Sequence, residues 1–287
     1  MAIYTIEEGV VMFFYSHSGA AASGKLDASG NYVNLKDYPA GQFGQWHFIV
    51  PADGQRLFFH NYQTTQSASG EIDAAGNYVN LRDFPAGQFG QWAVVPLGDG
   101  RLFFYTAVTG AGAVGKLDAT GDYVNLKDFP PGKFGKWTHI VPVGRNTLFF
   151  YNVQTRGAVT AEIDDSGEYV NLMDFPAGHF GPWWMIAPAG GNRLFFYNGY
   201  QQPWAASGEI ASSGDYVNLK DFPPGQFGHW THVVSVDDDR LFFYNSGHSD
   251  SHLQGAGASG ELDTAGDYVN LKDFPPGQFG KWSIIVG

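Results

Sequence analysis

The chain contains no cysteine. Disulfide scaffolds, thiolate metal sites and cysteine nucleophiles are thereby excluded. Charged side chains are also scarce, at 15% of 287 residues, where soluble domains usually carry roughly 25%. Much of the surface is left to backbone, amide, hydroxyl and aromatic edges, a surface suited to neutral polar ligands. The charge that is present is acidic, with a formal net of −12 and a pI near 5.0. No basic stripe occurs, which disfavours nucleic acid and anionic membranes, because both require clustered Lys and Arg. No segment approaches the ~18–20 apolar residues of a membrane span. The opening residues, Met1-Ala2-Ile3-Tyr4-Thr5-Ile6-Glu7-Glu8, lack the basic region and apolar run of a signal peptide. The expectation is a soluble product made in the cytoplasm, and a chain without cysteine would also tolerate release to an oxidising exterior.

Aromatic residues make up 16% of the chain and Gly is abundant at 39, a composition of folded β structure and not of disorder. Tyr-Val-Asn-Leu begins at Tyr32, Tyr78, Tyr123, Tyr169, Tyr216 and Tyr268, and Phe-Gly-x-Trp ends at Trp46, Trp92, Trp137, Trp183, Trp230 and Trp282. Successive tryptophans are 46, 45, 46, 47 and 52 residues apart. A fixed period of this size marks a repeat architecture. No linker or shift of composition separates the units, so residues 1–287 read as one domain.

Each unit holds four short β signals punctuated by Gly and Asp. In one unit, Trp137 to Pro142 is strand a, Leu148 to Asn152 strand b, Val159 to Asp164 strand c and Tyr169 to Phe175 strand d. The b strands, typified by Leu148-Phe149-Phe150, are apolar on both faces and belong between stacked sheets. Six such units predict an all-β, six-bladed β-propeller of four-stranded antiparallel blades. The ring would close by pairing of the chain ends. Residues 1 to 6 and 282 to 287 both resemble strand a, and the C-terminal copy is favoured because it keeps the Trp.

The turn Asp27-Ala28-Ser29-Gly30-Asn31 and its copies resemble the Asp box of sialidase-like propellers, although two residues separate Asp from Gly and repeat five has Ala211 for Asp. The Asp is expected to cap turn amides and the Gly to supply positive φ. Calcium would require 6–8 oxygen ligands, more than this loop offers. No metal or cofactor is expected.

Alternate loops of such a blade share a face, so the b–c and d–a loops lie together. A ligand bound once per repeat would use the repeated d–a loop. The candidates are Trp46, Trp92, Trp137, Trp183, Trp230 and Trp282, with Lys36–Asp37, Arg82–Asp83, Lys127–Asp128, Lys220–Asp221 and Lys272–Asp273; repeat four has Met173 before Asp174. Trp offers an apolar face to sugar C–H groups, while carboxylate and amide groups fork to hydroxyls. The competing reading makes the tryptophans inter-blade core and the aspartates loop caps.

With this repeat size, blade number and aromatic strands, the chain resembles the repetitive β-propeller lectins, both the six-bladed fucose-binding type of fungi and bacteria and the tachylectin-2 type. The fucose-binding type implies an Arg and Glu partnership. Here Arg56 stands with Glu71, Arg193 with Glu209 and Arg240 with Glu261, but Arg101 is followed by Lys116, and Val11 and Thr147 fill the Arg place in repeats one and four. Because the two residues belong to consecutive antiparallel strands, they are expected at opposite ends of a blade.

The resemblance implies a non-catalytic, multivalent carbohydrate-binding protein whose partners are glycans or glycoproteins. A protein-interaction scaffold using the variable b–c loops is the alternative, and a glycoside hydrolase the third reading. Enzyme chemistry is not expected, since near-identical units do not supply an asymmetric pair of titratable groups. His248-Ser249-Asp250-Ser251-His252 reads as a solvated loop, and His139 and His232 as lining residues of strand a.

Overall fold

The computed structural model describes residues 9–199, 203–247 and 251–287. They form six four-stranded antiparallel sheets. Five run a–b–c–d in chain order, as in blade four: His139–Val143, Thr147–Asn152, Gly157–Ile163 and Tyr169–Phe175. Blade one takes its innermost strand from the other end of the chain, where Ile284–Val286 pairs with Val10–Tyr15 through Phe13↔Ile285. Innermost strands of consecutive blades touch all round the ring. This is a six-bladed β-propeller. The rival closing segment, residues 1 to 6, lies outside the described residues.

Strand b is buried on both faces because neighbouring residues serve different blades. Phe149 packs edge-on against Phe196 of blade five, and Phe150 against Phe103 of blade three. Both are fully buried. Six aromatic clusters result, one in each seam between blades.

One repeated device locks the seams and a second shapes the c–d turn. Between strands c and d every blade carries a bulge, for example at Ser69/Gly70, leaving Leu81 as the extra residue. That leucine rests on the c–d turn of the next blade at Gly121, where an added Cβ would come within 2.5 Å of Ser69 Oγ and 2.7 Å of Leu81 Cβ. Gly121 also has φ +80°, so the turn requires glycine for conformation and for close approach. The second device is the turn aspartate. Asp27 Oδ1 accepts the amides of Ser29 at 2.8 Å and Asn31 at 2.9 Å, as expected of a cap.

Strand a of blade four begins at His139, two residues after the expected Trp137. Trp137 belongs to the d–a loop, its ring 6.0 Å from that of Phe150. Among the described residues no helix is long and apolar enough to cross a membrane.

Candidate functional site

The b–c and d–a loops share one face and bond to one another, as in Gly132 N to Thr109 O at 2.8 Å and Phe134 N to Gly110 O at 2.9 Å. On this face the tryptophans sit in the seams. Trp46, Trp137, Trp183, Trp230 and Trp282 each lie 5.5–6.0 Å from a strand b phenylalanine. Trp92 joins the cluster of Phe89 and Phe104. Trp183 is the most buried and also packs against Trp204, its ring tilted by 44° at a centroid distance of 4.4 Å.

The charged candidates lie along the outer strand d. In three of the pairs, Lys36–Asp37, Lys127–Asp128 and Lys220–Asp221, the structure turns the two members to different partners. Lys36 Nζ donates to Asn77 Oδ1 at 2.8 Å in the c–d turn of the next blade. Arg82 reaches Asp122, Lys127 reaches Glu168 and Lys220 reaches Asp267 in the same way. Asp37 instead accepts from Asn34 at 3.2 Å, a contact repeated at Asp128, Asp174, Asp221 and Asp273. Asp83 and Lys272 occupy the same exposed places on their strands.

The expected separation of Arg and Glu is corrected. Arg56↔Glu71, Arg193↔Glu209 and Arg240↔Glu261 are direct register partners, and Val10, not Val11, takes the Arg place in blade one. The arginine side chains go elsewhere, to carbonyls of the neighbouring c–d turn. Arg101, for example, donates to Ile163 O at 3.3 Å and Asp164 O at 2.9 Å.

The asymmetry of the ring lies in the two residues after each Trp. These are His47-Phe48, Ala93-Val94, Thr138-His139, Trp184-Met185, Thr231-His232 and Ser283-Ile284. In the neutral form of His139, Nε2 carries the proton and donates to Trp184 O at 2.9 Å, an oxygen that can only accept. Nδ1 is therefore the acceptor, 3.0 Å from Thr138 Oγ1, whose one hydroxyl proton also has the Tyr151 carbonyl within reach at 3.1 Å. Burial lowers the His139 pKa below the ordinary imidazole value, partly opposed by the Trp184 carbonyl. The ring is thus neutral near pH 7. Blade six repeats the arrangement, with Thr231 Oγ1 at 2.9 Å from His232 Nδ1 and Ser283 O at 3.2 Å from Nε2.

The blade-four pair lines a cavity of about 440 Å³, bounded by Phe48, Tyr62, Val94, Val108, Trp137 and Ile140 among others. Local sequence explains its place. In four blades an Asn at the end of strand b ties the b–c loop to the residue before Trp: Asn61 to Gln45 O, Asn152 to Lys136 O, Asn198 to Pro182 O and Asn245 to His229 O. Blade three has Thr106 there, and both Thr106 and Gln91, the residue before Trp92, line the cavity. Two signals were readable in sequence: Thr-His after Trp, and Thr for Asn after the aromatic strand. Residues 248–250, with most of the His-Ser-Asp-Ser-His segment, lie outside the described residues.

No protein-family model and no curated protein matches the chain. Solved structures do. A candidate 6-phosphogluconolactonase from Bacteroides fragilis matches with a TM-score of 0.60 over 97% of both chains at 10% identity. Another, from Bacteroides uniformis, gives 0.58 over 98% of this chain and 86% of that one, also at 10% identity. The periplasmic gluconolactonase of Pseudomonas aeruginosa gives 0.50 over 94% of this chain and 81% of that one, at 14% identity. Likeness at this identity establishes the fold. It also corrects the expectation of a non-catalytic lectin: these propellers bear the names of lactonases and not of lectins. The expectation that the chain is no enzyme is corrected by the same finding.

Proposed function

We propose that the protein is a hydrolase that opens a small lactone ring in the cavity around His139. The observation that carries this reading is the Thr138–His139 pair, a hydroxyl facing a neutral imidazole whose other nitrogen is anchored, at the wall of an open cavity. Nucleophile, base and orienting group are the three parts of an activated hydroxyl. The names of the structural neighbours support the choice of a cyclic ester as substrate class.

In this reading Thr138 Oγ1 attacks the lactone carbonyl carbon while its proton passes to His139 Nδ1. The Val153 amide, which donates to Oγ1 at 3.0 Å, lowers the cost of negative charge on that oxygen. The ring C–O bond then breaks, and the ring oxygen takes the proton from Nδ1, leaving a hydroxyacyl ester on Thr138. Water gives a proton to the same nitrogen as it attacks the ester, Oγ1 recovers that proton, and a hydroxy acid departs. The net reaction is lactone plus water giving one hydroxy acid, with Thr138 and His139 restored.

Proton release from δ-valerolactone, followed with a pH indicator, tests the proposal. Positioned acid–base groups contribute about 10²–10⁴-fold, so H139Q is expected to lower kcat by at least about 100-fold with an unchanged unfolding temperature. T138V is expected to do the same. Equal turnover by wild type and H139Q would overturn the assignment.

A further inference from the structure

We infer that the substrate is an uncharged lactone carrying an aliphatic or aromatic substituent, and not a phosphorylated sugar lactone. This rests on the catalytic reading of His139 and names the substrate class of that site. The first observation is chemical. Phe48, Tyr62, Val94, Val108, Trp137 and Ile140 present carbon surface to the cavity, and among the described residues no Lys, Arg, Asp or Glu lines it. A phosphate monoester would bring about two negative charges and several acceptor oxygens. Here it would meet no cation, inside a chain whose formal net charge is already −12. Its hydration would be lost without replacement.

The second observation is where the fold leaves apolar surface uncovered. Among the described residues eight large hydrophobic side chains are exposed, and six are the repeated valine of strand d, such as Val33 and Val79. The remaining two are Val108, 79% exposed, and Trp184, 61% exposed. Val108 lines the cavity, and the Trp184 carbonyl anchors His139. Val108 therefore places exposed carbon in the cavity that His139 lines. Val108 lies where the apolar arm of a substrate would rest while its ring carbonyl faces Thr138.

Calorimetric titration with δ-lactams bearing ethyl, butyl and hexyl chains measures binding without turnover. Each buried methylene is expected to strengthen binding about fourfold until the cavity is filled. V108D, at an exposed position, is expected to weaken hexyl-lactam binding at least tenfold while leaving the unfolding temperature unchanged. A companion assay compares turnover of 6-hexyl-δ-lactone with that of 6-phosphogluconolactone. Preference for the hexyl compound supports the inference, and preference for the phosphorylated one overturns it while leaving the hydrolase reading intact. Graded lactam binding without turnover of any lactone would support the apolar class and remove the hydrolase reading. Lactam affinity that is flat with chain length, or unchanged in V108D, overturns the inference.

Discussion

Tyr105 Oη accepts the amide of Trp137 at 2.8 Å and donates to the Gly135 carbonyl at 2.6 Å. One side chain at the end of strand b in blade three thus fixes two backbone groups of the segment that leads into His139. Tyr151, Tyr197 and Tyr244 hold Trp183, Trp230 and Trp282 in the same way. The pair explains how a loop of Gly and Pro can carry a defined site: its backbone is held from the neighbouring blade.

Blade two breaks this rule with His60. Its Nδ1 pairs with Ser67 Oγ at 2.8 Å, and its buried Nε2 stops short of a partner. Burial pushes the imidazole pKa down to about 4 from an ordinary 6.5. A folded value below the unfolded one means that the unfolded chain binds the extra proton. The contribution of neutral His60 is therefore complete above pH ~6.5 and declines as pH falls toward ~4, by up to about 3 kcal/mol. H60Y, which restores the repeat tyrosine, is expected to raise stability and to flatten this window in urea unfolding at pH 7 and pH 4.5.

Arg101 is 2% exposed and bridges blade three to blade four. Its Nη2 also donates to Asn146 Oδ1 at 2.7 Å. Substitution R101A strands the Ile163 and Asp164 carbonyls and is expected to cost about 2–4 kcal/mol, since bonds to a charged donor exceed the ordinary ~1 kcal/mol. R56A is expected to cost less, because Arg56 is less buried. Chemical denaturation of the two variants side by side reads the difference.

The closing strand carries more weight than its three residues suggest. Ile285 and Val286 are 6% and 5% exposed, and their burial is worth ~1.5–3 kcal/mol each. Removal of residues 282–287 also takes the Trp282 ring from Phe13, at 6.0 Å, and opens an edge on blade one. Loss of several kcal/mol is expected in thermal unfolding.

The propeller was legible because Trp, Tyr-Val-Asn-Leu and Leu-Phe-Phe recur with one period, and burial of both faces of strand b follows from adjacent phenylalanines. The turn cap at Asp27 was readable for the same reason. What repetition conceals is direction. Lys36 and Asp37 look like a pair in sequence, yet a strand sends neighbours to opposite sides, and each finds its own partner. Arg56 and Glu71 look distant, yet hairpin register sets them face to face. The proposed site was hidden for a further reason: it rests on departures from the repeat, Thr106 for Asn and Thr138-His139 after Trp, whereas the consensus directs attention to what every blade shares.

The pH dependence of lactone opening tests the central claim most directly. If His139 is the base, kcat/KM rises with pH through a single inflection below the ordinary histidine value of 6.5, because burial lowers its pKa. The rate should then level off, and any residual turnover of H139Q should lack that rising limb. A wild-type rate that falls with increasing pH, or an acid limb preserved in H139Q, would contradict the account.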